Sequence, residues 1–392
     1  MPNFHAHALV PFATPHQEGD VTFLWEARSD KESLVLTQVE NHRFFIKHLQ
    51  KEKGVLVKGE KITRPSQVKL LQRGLIAYEQ ATRAQVRFSN IYSKKNHHET
   101  PSPYLKPPAF FANNGGEKRE IWVEVGFGSG RHLLHQAKAN PEVLVVGIEI
   151  HKPSVEQVIK RIGHEGVENV YVVDYDARIL MEFLPASSVG KIFVHFPVPW
   201  DKKPHRRVIS PAFVEEALRV LKPEGTLELR TDSDAYYAYA VEVFTALAKT
   251  KVYIQKNIDL AVSSKYEDRW KRMEKNIYDV TLINLQRASP APPLGLLTFK
   301  ETLAPARLSQ KPSDVTLRGE EWFVHVEGRY ALGTQSIMLK VAFGAYDRPE
   351  HRYVLVEPTG KASYFPEEVF STKANTKAHA ALQEWMSSEL CH

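Results

Sequence analysis

The sequence predicts an α/β domain with a mostly parallel sheet and helices on both faces, flanked by two β-rich segments. Within residues 121–286 of the 392-residue chain, short apolar strands alternate with amphipathic helices, a pattern typical of a doubly wound sheet. A glycine-rich turn follows the first of these strands, as in nucleotide-binding folds. Segments rich in proline and glycine bound the alternating region on both sides.

Residues 1–112 form the first predicted region, a β-rich segment that ends in a linker. Apolar patterning predicts strands at 21–25, 33–37 and 43–46 and a helix over 65–83. Residues 93–116 contain four prolines and an Asn-Asn-Gly-Gly run, which predicts the linker.

Residues 113–289 form the predicted α/β domain. Buried strands are predicted at 121–125, 143–150, 170–173, 191–195 and 226–231, and helices at 131–139, 155–163, 211–221 and 235–249. A proline in the first turn and a glycine beyond the last residue mark the helix at 211–221. Strands at 252–255 and 278–283 are expected to close the sheet.

Residues 290–392 form a second β-rich region. A proline-rich linker over 288–295 leads into it, strands are predicted at 322–326, 336–343 and 352–356, and a helix is predicted over 373–386. The sequence leaves open whether the two β-rich regions pack together as one accessory unit.

Composition favours a globular protein in a reducing compartment. Hydrophobic residues make up 43% of the chain and charged residues 25%, which is ordinary for a protein with sizeable cores. No apolar run reaches the roughly 18 residues of a membrane span, and the N-terminus lacks the pattern of a signal peptide. Cys391 is the single cysteine, so an internal disulfide and a zinc ribbon are excluded. We therefore expect a cytoplasmic protein that does not bind a membrane.

Charge and histidine spacing say less about partners. The net charge of +6 and the pI near 9.0 favour an anionic partner only weakly, since the local clusters matter more than the total. The 17 histidines show no metal-ligand spacing, so no metal is predicted. The sequence does not distinguish a monomer from a homodimer.

The turn after the first strand of the α/β domain predicts a nucleoside cofactor. Glycine lets the backbone turn tightly and approach a ligand without a Cβ clash, and the turn holds Gly126, Gly128 and Gly130. The second strand ends at Glu149, from which a carboxylate can accept both ribose hydroxyls. Asp176, after the third strand, is expected to accept from an adenine amino group.

Glu124 lies within the first strand, just before the turn. A carboxylate there suits the ammonium group of an amino-acid moiety. Any one of Glu124, Glu149 and Asp176 could merely cap a helix or face water. Their positions at three successive strand ends favour a shared ligand crevice.

A rigid, aromatic and cationic segment follows the fourth strand. Residues 196–207 read Phe-Pro-Val-Pro-Trp-Asp-Lys-Lys-Pro-His-Arg-Arg, and we call them the lip. The prolines stiffen it, Trp200 offers a stacking face, and the cations suit phosphates. We expect Trp200, Arg206 and Arg207 to contact RNA, with an ordinary solvated surface as the alternative. An enzyme that modifies a nucleic-acid base needs such a lip beside its cofactor pocket.

Together these motifs resemble the bacterial tRNA (guanine-N7-)-methyltransferases, class I S-adenosylmethionine enzymes that modify the variable loop of tRNA. The resemblance covers about residues 118–286. It includes the 124–130 turn, Gly-Ile-Glu at 147–149, Asp-Ala at 176–177, the lip, Thr-Asp at 231–232 and Ser-Lys-Tyr-Glu at 264–267. It implies S-adenosylmethionine as cofactor, tRNA as partner and N7 of a guanine as the methyl acceptor.

The resemblance also carries the family's contacts onto this chain. The cofactor contacts fall on Glu124, Glu149 and Asp176. The substrate contacts fall on Lys202, Asp232, Ser264, Lys265, Tyr266 and Glu267.

Val198 departs from the family's pattern, which usually has Asp at this position with a cofactor-binding or catalytic role. Valine can neither accept a hydrogen bond nor carry charge. Guanine N7 has an exposed lone pair and no proton, so its methylation needs no general base. A carboxylate would still stabilise the positive charge that reaches the ring, and Asp201, Asp232 and Glu267 are candidates to supply it. We therefore expect activity to persist.

Two other functions remain open. Val198 leaves room for an inactive RNA-binding protein on a methyltransferase scaffold, although the three cofactor acids are all present. A methyltransferase acting on a small molecule or a protein would not need Trp200 followed by a basic run.

Overall fold

The computed structural model describes residues 2–65, 67–91, 102–112, 119–260, 275–290 and 292–388. The chain divides into two compact units. One unit combines Met1–His97 with Gly295–His392, and the other is His98–Leu294. We call them the accessory unit and the central unit. The two β-rich flanks, whose association the sequence left open, thus lie in one unit. Cys391 and much of the predicted 93–116 linker lie outside the described residues.

The N-terminal part of the accessory unit is an antiparallel meander with one helix. Its elements are β1 (Asn3–Ala6), β2 (His16–Glu18), β3 (Val21–Arg28), β4 (Glu32–Val39), β5 (His42–Lys51), β6 (Gly54–Gly59), α1 (Val68–Ala81) and β7 (Val86–Ser89). The three predicted strands and the helix are confirmed. Strands β1, β2, β6 and β7 were not predicted, because each has six residues or fewer and too little alternation to be recognised.

The central unit alternates strands and helices along the chain. Its elements are α2 (Ala109–Ala112), β8 (Ile121–Val125), α3 (Arg131–Ala139), β9 (Leu144–Ile148), α4 (Lys152–Glu165), β10 (Val170–Val173), α5 (Ala177–Phe183), β11 (Val189–His195), a 3-10 helix (Pro204–Arg206), α6 (Pro211–Val220), β12 (Leu221–Thr231), α7 (Asp234–Thr245), β13 (Thr250–Lys256) and β14 (Tyr278–Asn284). The sheet order is β10-β9-β8-β11-β12-β14-β13. The strands from β10 to β12 are parallel, and β14 is antiparallel to both of its neighbours. The predicted fold class is confirmed.

The largest differences from the predictions in this unit are two boundaries and one helix that was not predicted. Helix α7 ends at Thr245, before Lys249 takes a left-handed φ of 56° that a helix cannot hold. Strand β12 begins at Leu221, five residues earlier than predicted, after a register shift against β11. Helix α5 was missed because it has only seven residues.

The C-terminal part of the accessory unit continues the large sheet. Its elements are α8 (Pro305–Leu308), β15 (Val315–Arg318), β16 (Phe323–Leu332), β17 (Ser336–Ala345), β18 (Arg348–Val356), β19 (Ala362–Phe365) and α9 (Lys373–Ser387). The predicted strands and terminal helix are confirmed. The main path of the sheet runs β19-β18-β17-β16-β3-β4-β5-β6-β1-β7. Strands β16 and β3 join the two flanks through only two residue pairs, Ala331 with Arg28 and Leu332 with Ala27.

A shared core holds the flanks together. Phe45 of β5 packs edge-to-face on Tyr353 of β18, with ring centroids 5.2 Å apart. The buried residues of this core come from both flanks: Ala27, Leu34, Leu36 and Phe45 from the first, and Tyr330, Met338 and Tyr353 from the second. Among the described residues, no helix has the length and apolar character that a membrane crossing requires.

Candidate active site

The site lies at the carboxyl edge of the central sheet, where β8 and β11 are neighbours and the chain order of the strands reverses. Ligands of such sheets bind at this reversal. Strand β8 runs into the glycine turn, β9 into Glu149, β11 into the lip and β12 into Asp232. Parallel pairing brings all of these strand ends to one edge.

The glycine turn forms a cradle. Gly126, Gly128 and Gly130 have φ values of 70°, 51° and 67°, which side chains of other residues rarely allow. A Cβ at Gly126 would meet nothing within 4 Å, and one at Gly128 would meet only a carbonyl oxygen at 3.9 Å. A Cβ at Gly130 would lie 2.5 Å from Val158 of α4. The first two glycines therefore border open space, whereas the third lets α3 pack closely on α4.

Glu149 is held rigidly beside this cradle. Its Oε2 accepts from the Gly128 N–H at 3.1 Å, and its Oε1 accepts from the N–H groups of Ile150 and His151 at 2.9 Å each. These amides fix the carboxylate against the turn. A carboxylate has about four acceptor sites, so these three N–H groups leave one site, on Oε2, for a donor from a ligand.

The other two predicted cofactor acids already have partners in the protein. Asp176 caps α5 through the Arg178 N–H at 2.9 Å and receives the Arg178 guanidinium at 2.7 and 3.0 Å. Glu124 is buried, and its Oε2 forms a hydrogen bond with His132 Nδ1 at 2.9 Å. Neither His132 nor Arg178 was predicted. No motif marks them, since each is identified only by its distance from the acid.

A ring cluster lies behind Glu124. The His132 and His195 ring centroids are 4.5 Å apart, and Phe193 lies 4.8 Å from His132. Burial, aided by the charges of His132 and Arg230, holds the pKa of His195 well below its usual value. His195 is therefore neutral at pH 7 and fills space at the strand end.

The backbone of the lip is strained. Phe196 and Trp200 have φ values of 48° and 49°, a left-handed conformation that costs a non-glycine residue about 1 kcal/mol or more. Strain of this kind persists where the surrounding structure enforces it, and it is concentrated at functional sites. The Phe196 N–H donates to the Arg230 carbonyl at 2.7 Å, which anchors the start of the lip to β12.

Arg207 anchors the end of the lip from within. It is only 5% exposed, and its Nε donates to the Pro199 carbonyl at 2.8 Å. Its guanidinium lies 5.0 Å from the ring centroids of both Tyr236 and Tyr239, and one nitrogen lies 3.4 Å from Asp201. A guanidinium in this setting is not presented to a phosphate, which departs from the role expected for Arg207 from the sequence.

The remaining charges of the lip are exposed. Arg206 lies over the Trp200 ring at 5.1 Å, and Trp200 itself is 37% exposed. Lys202, Lys203 and His205 are exposed as well. The Val198 side chain is 60% exposed, so the position of the missing carboxylate faces solvent in this structure.

Of the two candidate replacement carboxylates among the described residues, Asp232 is the less exposed. Lys275 Nζ donates to its Oδ2 at 3.0 Å, and the Asp232 side chain is 19% exposed. Asp201 is 61% exposed. The other predicted substrate residues, Ser264, Lys265, Tyr266 and Glu267, lie outside the described residues. Within the described ranges, no cluster of His, Cys, Asp and Glu could hold a metal ion.

The chain is similar to known proteins, some of them along nearly its whole length. Residues 118–280 match a family model described as "Putative methyltransferase". The chain is 40% identical to a tRNA (guanine-N(7)-)-methyltransferase of Wolinella succinogenes, over 99% of this chain and 100% of the relative. It is 38% identical to a protein of the same name from Campylobacter jejuni, over 98% of each chain. The crystal structure of the antibiotic-resistance methyltransferase Kmr matches with 19% identity and a TM-score of 0.34, over 45% of this chain and 92% of Kmr.

Proposed function

The chain belongs to the tRNA (guanine-N(7)-)-methyltransferase family, and we infer from this that it transfers a methyl group from S-adenosylmethionine to N7 of a guanine in tRNA. The observation that supports this best is the meeting of the glycine cradle and the lip at one sheet edge. Nothing favours the inactive RNA-binding protein. The tRNA substrate inferred for this chain also favours the cytoplasm as the location of the protein.

We propose that Glu149 accepts a hydrogen bond from the ribose of the cofactor, through the acceptor site that remains on Oε2. Support comes from the three N–H groups that fix its carboxylate beside the open cradle. Asp176 is proposed to accept from the adenine amino group while it keeps its bonds to Arg178. Glu124 is proposed to balance the ammonium group from within the strand, with His132 as its protein partner.

When bound, S-adenosylmethionine supplies an electrophilic methyl group on a sulfonium. Methylation of guanine N7 needs no general base. The protein's task is therefore to place N7 in line with the sulfonium methyl group and to stabilise the positive charge that reaches the guanine ring.

We propose that Asp232 holds the guanine. A carboxylate there can accept hydrogen bonds from the N1–H and the N2 amino group of the guanine. Both donors lie on the Watson–Crick edge, so N7 stays free to face the methyl group. Lys275 already donates to one carboxylate oxygen, so it orients Asp232 before the substrate binds. Asp201 stays a second candidate for charge stabilisation, although its exposure weakens any electrostatic effect.

We propose a division of labour within the lip. Lys202, Lys203 and Arg206 are proposed to contact phosphates, since they are exposed, and Trp200 to stack on a base. Arg207 is proposed to hold the loop in shape instead of binding RNA. Ser264, Lys265, Tyr266 and Glu267 remain proposed substrate contacts.

The function can be tested by mapping N7-methylguanosine in tRNA, through chemical cleavage at the modified base. Cells lacking the gene should lose the modification, and the purified protein should restore it on an unmodified transcript. Failure of the purified protein to methylate any guanine N7 would overturn the proposal.

Single-turnover methylation tests the role of Asp232. The Asp232→Asn variant should lose about 2–4 kcal/mol of transition-state stabilisation, or roughly 30- to 1000-fold in rate, because a carboxylate that accepts from two donors is lost. Lys275→Gln is the matched control, since it removes the ion pair and keeps the carboxylate.

Val198→Asp completes the series. An active wild type would mean that the chain does not need the family's aspartate. An inactive wild type rescued by Val198→Asp would contradict our proposal, and an undiminished Asp232→Asn would remove Asp232 from the site.

A further inference from the structure

Among the described residues, no helix packs against one face at one end of the large accessory sheet. Strands β5, β6, β1 and β7 are adjacent there. On one face, Phe4, Ile46 and Val57 are fully buried in a core that includes Leu71 and Leu75 of α1. The residues that alternate with them point to the opposite side. We call this side the open sheet face and define it by His5, Leu49, Lys51, Leu56, Lys58 and Phe88.

An apolar and aromatic row crosses this face. Leu49 pairs with Leu56, Leu56 with His5, and His5 with Phe88, so the row continues over four strands. With neighbouring strands about 4.8 Å apart, it spans roughly 14 Å. Phe88 is 56% exposed, and its ring contacts that of His5 edge-on, with 6.0 Å between centroids. Exposed aromatic side chains at a sheet surface are suited to stack on unpaired bases.

Lysines border the row on both sides. Lys58 pairs in register with Lys47 on one side, and Lys51 pairs with Gly54 on the other. Lys47 is 3.0 Å from Glu32. Within the described part of the chain, Lys51 and Lys58 have no ion-pair partner. The exposed Arg87 donates to the Lys53 carbonyl at 2.9 Å and adds positive charge beside the β5–β6 turn, where Glu52 is the opposing acid.

The charge of the whole chain is concentrated in this part of the sequence. Residues 1–97 contain 15 Lys and Arg and 9 Asp and Glu, an excess of 6 that equals the net charge of the entire protein. The remaining residues are therefore close to neutral as a set. A segment of this charge favours a polyanion as its partner, and pairing two copies through Lys51 and Lys58 would bring like charges together.

We propose that the open sheet face is an RNA-binding surface that contacts part of the tRNA other than the target nucleotide. This rests on the proposed function for the identity of the RNA. Lys51 and Lys58 bind phosphates, and the row ending in Phe88 packs against bases or sugars. The accessory unit thereby adds to the affinity for tRNA without taking part in methyl transfer.

The test compares variants of the full-length protein by tRNA filter binding and by steady-state methylation. Lys51→Glu/Lys58→Glu should raise the Kd and KM for tRNA about tenfold or more and reduce the salt slope of binding by about two, one unit for each phosphate contact. Phe88→Ala should raise the Kd, and Phe88→Tyr should preserve it. Lys300→Glu/Lys361→Glu, an equal charge reversal at exposed positions of the C-terminal flank, should change the Kd much less. The kcat at saturating tRNA should be unchanged in all of them.

Two results would overturn this inference. One is a Kd and salt slope for Lys51→Glu/Lys58→Glu that equal those of the Lys300→Glu/Lys361→Glu control. The other is sedimentation showing that the wild type is a dimer and that the face variants are monomers, which would assign the face to self-association. Because filter binding does not depend on methylation, a protein that binds tRNA through this face but leaves guanine N7 unmodified would overturn the proposed function alone.

Discussion

At the scale of single residues, the acids of the site differ in how the protein holds them. Glu149 is fixed by backbone N–H groups, Asp176 by a helix start and Arg178, and Asp232 by Lys275. A carboxylate bound by backbone amides is held in position without a neighbouring cation that would compete with the ligand. Glu149 is therefore the acid whose removal should affect the cofactor most directly.

We predict that Glu149→Ala weakens S-adenosylmethionine binding by about 1–3 kcal/mol, the scale of lost charge-assisted hydrogen bonds. Glu149→Gln should lose less, since its amide oxygen can still accept. Isothermal titration calorimetry measures the effect, and a thermal melt of each variant checks the fold. Unchanged affinity in Glu149→Ala, or tight binding of a nicotinamide dinucleotide by the wild type, would contradict the assignment.

At the scale of elements, the lip combines an exposed outer surface with a buried anchor. Arg206 and Arg207 are adjacent in sequence, yet Arg206 lies over Trp200 at the surface and Arg207 is buried against Tyr236 and Tyr239. The short 3-10 helix ends at Arg206, and Arg207 follows it as the C-cap residue. Two arginines of one motif should thus act by different means.

The two arginines should be separable by mutation. Arg206→Ala should weaken tRNA binding, lower its salt slope by about one and leave the methylation rate at saturating tRNA intact. Arg207→Ala should lower that rate, because the lip loses the hydrogen bond to the Pro199 carbonyl and the packing on two tyrosines. We expect the loss of these contacts to destabilise the lip conformation by about 1–3 kcal/mol.

Arg207→Lys separates charge from shape, since lysine keeps the charge but cannot reproduce the planar contacts. It should resemble Arg207→Ala in rate. Equal salt slopes for Arg206→Ala and the wild type would show that Arg206 binds no phosphate, and a normal rate in Arg207→Lys would exclude the anchoring role.

At the scale of the whole molecule, the accessory unit is built from the two ends of the chain. Its flanks share only two residue pairs of the sheet, so the common core around Phe45 carries most of their association. Phe44, the preceding residue, points the other way into the core beneath α1 and would contact an added Cβ at Gly74. Neighbouring residues of one strand therefore stabilise different parts of the fold.

We predict that Phe45→Ala lowers the free energy of unfolding by about 3–5 kcal/mol, as expected for a large buried ring. The substitution should also destabilise the C-terminal strands. Hydrogen–deuterium exchange should increase in β17 and β18. Phe44→Ala is the matched control. It should lower the free energy of unfolding by a similar amount, but the increase in hydrogen–deuterium exchange should occur in α1. The idea of a shared core fails if Phe45→Ala leaves exchange in β17 and β18 unchanged.

Much of the site could be predicted because its signals are local. The glycine turn, Glu149 and the lip each follow a strand whose apolar pattern is clear, and parallel strands bring their ends to one edge. The partners of these residues could not be predicted. His132, Arg178 and Lys275 are ordinary polar residues until folding brings them within hydrogen-bond distance of an acid.

By itself, the sequence determined the fold class of the central unit, the place of the glycine turn and the family, since periodicity and short motifs depend on neighbours along the chain. Tertiary structure alone decided that Arg207 is buried, that the flanks form one sheet, and that His5 and Phe88 meet on an open face. These facts depend on contacts between distant positions, such as the Tyr330 hydroxyl with Glu32 at 2.7 Å, 298 residues apart. Local patterns do not encode such pairs, because each partner satisfies its own periodicity equally well without the other.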